Sequence, residues 1–178
     1  MTKPKVQPTE LRSMIERLAS LPSFNIHAIK GDETVPWFEV TGKMLVKDLL
    51  IDSTDLGAQV DVMAVQIMHW GRLEAQARRV WEVEEHKYRV WRDTQYVRLT
   101  DPPHDLKQGQ QWKKPTEARV EADIRVHEDY PVWQGRLERA EEAYNATRYA
   151  REAFVAKKDM LKQFGMRAHD NSGQRLSV

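Results

Sequence analysis

From Ile51 to Leu99 the chain contains no proline, and apolar side chains return in steps of three and four at Leu56, Val60, Met63, Ile67, Trp70, Leu73, Ala77, Val80 and Val83. That spacing lines one face of an α-helix. The preceding Asp52-Ser53-Thr54 offers side-chain oxygens to the first free backbone N–H groups, so the pattern predicts one long amphipathic helix entered through this cap. Such a helix spans roughly 65 Å, more than a chain of this size covers by itself, and its stripe needs other helices or other copies of the protein.

Weaker patterns flank it. Leu11, Met14, Ile15 and Leu18 share one face of a short helix that begins at Thr9 and ends before Pro22. Between Ser23 and Lys47 the period changes: Ile26, Ala28, Val35, Trp37, Phe38 and Val40 surround Gly31-Asp32, which fits a short hairpin. Met44-Leu45-Val46 and Leu49-Leu50-Ile51 read as an apolar lead into the long helix. Beyond it, Asp101-Pro102-Pro103 and Gln108-Gly109-Gln110-Gln111 predict an exposed loop as far as Pro115. Thr116 then caps a helix carrying Val120 and Ile124, and Asp129-Tyr130-Pro131 interrupts and restarts it. The restarted helix bears Trp133, Leu137, Ala140, Tyr144, Thr147 and Arg151 in one stripe, widened by Phe154, Met160, Leu161 and Phe164, and a stop is expected at Gly165. Residues 166 to 178 read as a disordered tail.

At 178 residues, 31% charged and 40% hydrophobic, the chain suits one elongated, mainly α unit better than a large globular core. Its 28 basic and 27 acidic residues leave a formal charge of +1, so any attraction to nucleic acid or a membrane has to be local. Without cysteine there is no disulfide framework, thiol nucleophile or thiolate metal site, which fits a reducing cytoplasm. No secretory signal and no window of about 18 apolar residues is present, so neither secretion nor a membrane span is expected.

Charge is uneven along the long helix. Up to Gly71 the ionisable residues are Asp55, Asp61 and His69, among Ala, Val, Met and Gln, as in a helix–helix interface. Leu56, Val60, Met63, Ile67 and Trp70 are the expected oligomer contacts, although Trp70, lying on the stripe, also reads as core. From Arg72 onward Arg78, Arg79, Lys87, Arg89 and Arg92 alternate with Trp81, Tyr88, Trp91 and Tyr96, and Trp112, Lys113 and Lys114 follow in the loop. Bases stack on aromatic faces while basic grooves track phosphates, so this half is a candidate surface for single strands. The plainer reading makes Trp81 and Trp91 packing residues and the charges a solvated face with i,i+4 pairs such as Glu85 with Arg89. Catalysis is not expected. The six histidines are scattered, and no zinc-protease, phosphate-loop, dinucleotide or nucleophile-elbow motif occurs, so no cofactor or metal is expected.

Ile51-Asp52-Ser53-Thr54, then Leu56, an Ala/Val/Met-rich stretch and Trp70 resemble the start of the UvsY-type recombination mediators of T-even bacteriophages. The likeness continues through a basic helix, a polar loop and a C-terminal helix from Lys114-Pro115-Thr116-Glu117 through Asp129-Tyr130 to Lys158-Asp159-Met160-Leu161. It covers roughly residues 48 to 165. It implies a homo-oligomeric helical ring that binds single-stranded DNA without sequence preference. It further implies loading of a RecA-like recombinase onto DNA coated by single-strand-binding protein, in DNA recombination and repair within a bacterial or phage-infected cytoplasm. The family's DNA contact includes a Lys-x-Arg pair followed by a hydrophobic residue. Its nearest match is Lys87-Tyr88-Arg89-Val90, several residues out of register from the IDST run, with Arg92 competing one turn on. The expected organisation is an N-terminal extension over 1–47 with a short hairpin, a mediator-like helical domain over 48–165 and a tail over 166–178. A helical scaffold without nucleic-acid binding is the alternative.

Overall fold

The computed structural model describes residues 8–31, 33–52, 54–102 and 112–174, and the protein is mainly helical. In chain order the elements are α1 (Pro8–Ala19), β1 (Phe24–Lys30), β2 (Glu33–Val40), α2 (Gly42–Leu49), α3 (Leu56–Thr100), α4 (Glu117–Arg125) and α5 (Tyr130–Gln174).

Two helices of 45 residues, α3 and α5, form an antiparallel pair. Trp70 stacks on Phe154, Glu74 is ion-paired with Arg151, Trp81 stacks on Tyr144 and Trp91 on Trp133, so positions rising along α3 meet positions falling along α5. The partner demanded by the apolar stripe is therefore found, in large part, within the chain. Met63, Trp70, Leu73, Ala77 and Val80 are buried on α3, and α5 answers with Ala140, Ala143, Ala146, Ala150 and Ala153. Small residues on one helix leave room for large ones on the other, which is how Trp70 and Phe154 fit one layer. The one hydroxyl in that row, on buried Thr147, donates to the Ala143 carbonyl at 2.9 Å and so costs little.

The entry to α3 lies later than expected. Asp55 is the N-cap, its carboxylate accepting from the Ala58 N–H at 3.2 Å. Asp52 instead closes a turn, accepting from the Thr54 hydroxyl at 2.6 Å and the Thr54 N–H at 2.9 Å, which holds its carboxyl below the ordinary value. The Gln59 amide completes the device by bonding the Asp52 backbone in both directions. Ser53 lies outside the described residues.

The N-terminal elements cover one end of the pair. The expected hairpin is present, with Gly31 at a φ of 63° in its turn, a conformation that glycine adopts without steric cost. Its register slips between Ile26, opposite Phe38, and His27, opposite Pro36, leaving Trp37 as an extra residue in β2. Proline has no N–H for the ladder, so a bulge beside it is physically reasonable, and Trp37 is turned outward, 61% exposed. The run read as an apolar lead is a helix: α2 is capped by Thr41, and Leu45 and Leu49, four apart, are buried. Leu18, Ile26, Val40, Leu45 and Leu49 share one core with Met63, Trp70, Leu73 and Phe154, so α1, the hairpin and α2 pack into the long pair.

Two further features fix this end. Gly42 lies so close to α1 that an added Cβ would sit 2.6 Å from the Leu18 carbonyl oxygen. Lys157 of α5 is buried and donates to the backbone carbonyls of Asp48 and Leu50, each at 2.8 Å, capping the C-terminal end of α2. At the other end α4 is capped by Thr116 as expected, buries Val120 and Ile124, and packs on α3. The expected stop at Gly165 is not observed: α5 continues to Gln174. One glycine costs a helix about 1 kcal/mol, which flanking turns can offset, and the tail from 166 is helical as far as Gln174. Residues 175–178 lie outside the described residues.

Candidate functional site

The cations predicted on α3 do not form one strip. At about 100° per residue, Arg78 and Arg89 return to the same side of the helix, whereas Lys87 lies about 200° from Arg89. Arg78 is paired with Glu82 at 2.8 Å and Arg89 with Glu85 at 2.9 Å, both one turn away and exposed. The Arg92 guanidinium donates to Glu121 of α4, and that hydrogen bond holds its pKa above the ordinary arginine value, as Glu82 does for Arg78. Arg79 is exposed on another face, and Lys113 and Lys114 are exposed ahead of α4. Trp112 is half-buried, and most of the loop preceding it, residues 103–111, lies outside the described residues.

The aromatic residues do converge. At the end where α3 finishes and α5 begins, Trp91 lies 6.0 Å from Tyr88, 6.3 Å from Tyr130 and 6.2 Å from Trp133 between ring centroids, with His127 edge-on at 5.6 Å. All five are half-buried. They hold the helix pair together and still present ring surface to solvent. Arg136 stacks over Trp133 at 5.3 Å, and Arg92 stands beside the group through its pair with Glu121. Burial, then neighbouring Tyr130, raises the Tyr88 pKa, so its phenol stays protonated and neutral. Trp81 belongs to packing, stacked nearly parallel on Tyr144.

A second grouping lies where the hairpin crosses the long pair. His27, Glu33 and Thr34 from the hairpin, Val80, Glu84 and Lys87 from α3, and Arg136, Arg139 and Ala140 from α5 line a cleft of about 420 Å³. Glu84 is only 4% exposed; its Oε1 accepts from the Thr34 hydroxyl at 3.3 Å and from the Lys87 ammonium at 3.4 Å, while its Oε2 has no hydrogen-bond partner among the described residues. Of the predicted DNA contacts, only Lys87 enters this cleft. Arg136, Arg139, Glu84 and Thr34 were not singled out from sequence; the three-residue spacing of Arg136 and Arg139 placed them on one helical face, but nothing local announced the hairpin opposite.

The predicted interface residues divide. Met63 and Trp70 are buried in the chain's own core, and Leu56 and Ile67 pack against it, so their stripe is already occupied internally. Val60 is partly exposed, and the outward face of α3 carries Val62, Val65 and Met68, with Val65 62% exposed. No helix among the described residues is long and apolar enough to cross a membrane, and none of their His, Asp and Glu side chains cluster in threes as a metal would require. No family model, curated protein or solved structure matches the chain.

Proposed function

We propose that this chain is a recombination mediator of the UvsY type, which binds single-stranded DNA without sequence preference and helps a RecA-like recombinase displace single-strand-binding protein. The observation that carries the binding part is the half-exposed group of Tyr88, Trp91, Tyr130 and Trp133 with Arg92 and Arg136 at its edge. Every base has a π-face, so such a group accepts any sequence, while the guanidinium groups meet phosphates. The exposed i,i+4 pairs of Arg78 and Arg89 do not oppose this, because surface ion pairs are weak and a phosphate can replace the carboxylate. The IDST run and Trp70 supply the recombination context by resemblance.

The test is a set of variants, Arg92→Gln and Trp133→Ala at the group and Arg89→Ala on the exposed side of α3, measured against unstructured single strands of several sequences. Each variant is expected to weaken binding about three- to thirtyfold, by the same factor for all sequences. A loss confined to particular sequences contradicts the proposal. A second reading, a helical assembly subunit without nucleic-acid binding, is favoured by the outward Val62, Val65 and Met68, which a monomer has no need to expose together. Salt-sensitive affinity for DNA separates the two, since a subunit without nucleic-acid binding has none to lose.

A further inference from the structure

We infer that the cleft between the hairpin, α3 and α5 binds a phosphate monoester that carries a neighbouring hydroxyl group, as a ribose phosphate does. Among the described residues, Lys87 is already paired with Glu84, and Arg136 and Arg139 from α5 outnumber Glu33, so the balance within the cleft favours an anion. Bare phosphate does not complete the site. Glu84 is almost wholly buried at its wall, its Oε1 is engaged by Thr34 and Lys87, and its Oε2 has no donor among the described residues. A buried carboxylate oxygen in that condition is costly, and the ligand that relieves it must bring an O–H or N–H. It must also be anionic to suit Arg136 and Arg139. A hydroxyl a few bonds from a phosphate meets both demands, and a volume of about 420 Å³ admits a pentose phosphate.

The inference does not rest on the DNA-binding reading: the aromatic group and the cleft share Arg136 only, and Arg139, Glu84 and Thr34 belong to the cleft alone. Ribose 5-phosphate and inorganic phosphate are the probes, titrated calorimetrically into the full chain and into Arg139→Met and Glu84→Gln. Arg139 is exposed, so its variant keeps the fold, and the isosteric Glu84→Gln is checked by its thermal transition. The wild-type chain is expected to bind ribose 5-phosphate at least about tenfold more tightly than inorganic phosphate, the worth of one hydrogen bond to a charged acceptor. Arg139→Met should weaken both probes. Glu84→Gln should move them in opposite senses, tightening inorganic phosphate by removing a repelling charge and erasing the preference for the sugar phosphate. No binding of either probe, or equal affinities that Glu84→Gln shifts together, overturns the proposal. Competition separates the two sources of such a group. Displacement of ribose 5-phosphate by a 5′-phosphorylated octaribonucleotide, but not by its unphosphorylated twin, assigns the site to strand ends. Failure of both to displace it assigns the site to free sugar phosphates.

Discussion

Lys157 shows how one residue can be costly and necessary together. It is 3% exposed, and its ammonium caps two carbonyls at the end of α2 that no other described group meets. Burial lowers its pKa from the ordinary lysine value, with Asp48 opposing in part. The folded chain therefore releases this proton at a lower pH than the unfolded chain, and between the two pKa values the unfolded state binds more protons. Stability from this group consequently rises as pH climbs through that window towards the ordinary lysine value of 10.5. Lys157→Met should remove the alkaline rise from a urea-denaturation series and, at neutral pH, cost about 1–3 kcal/mol, because the carbonyls of Asp48 and Leu50 lose their donor. An unchanged pH profile would show that another group sets it.

At the scale of elements, most patterns were legible, those of α1, the hairpin and α4 included, and that of α2 was not. The stripe from Leu56 to Val83 and the restart at Tyr130-Pro131 repeat over many turns, and α3, α5 and the Thr116 cap of α4 stand where those patterns put them. The eight residues of α2 and the two after them give two apolar clumps, Met44–Val46 and Leu49–Ile51, in which Leu45 and Leu49 are the only fully buried pair, too little repetition to show a period. The expected break at Gly165 failed for a complementary reason: a glycine ends a helix when the backbone turns left-handed there, and among the described residues Gly31 alone has a positive φ. What holds α2 to α1 is also invisible locally, since Gly42 is needed for the backbone of Leu18 and Ala19 to approach. Gly42→Ala should cost about 2 kcal/mol or more, read as a lower urea midpoint with an unchanged m-value. A variant as stable as the parent would mean that α1 moves away freely.

For the whole molecule, the antiparallel pair decides what is brought together. It buries in one chain most of the stripe for which the sequence demanded other helices or other copies, and it leaves Val60, Val62, Val65 and Met68 exposed on the first half of α3. It also sorts the basic residues that a linear reading groups. Lys87 faces the hairpin with Arg136 and Arg139, Arg92 stands at the aromatic end, and Arg89 stays exposed beside Glu85. The aromatic spacing in α3 was legible, but its completion by Tyr130 and Trp133 depends on residues some forty positions away, which only the helix pairing aligns. In the mediator role proposed above, many modest contacts of this kind suit a strand that is held and later released, and phosphate contacts make such a hold sensitive to salt.

The most direct measurement is the fluorescence anisotropy of a labelled, unstructured single-stranded DNA titrated with the full chain over a series of salt concentrations, with duplex of the same length alongside. The account predicts binding at low salt that quenches tryptophan fluorescence, weakens steeply and linearly in log–log form as salt rises, and exceeds that for duplex. Absence of binding at low salt by the folded protein, or equal affinity for duplex without tryptophan quenching, would contradict it.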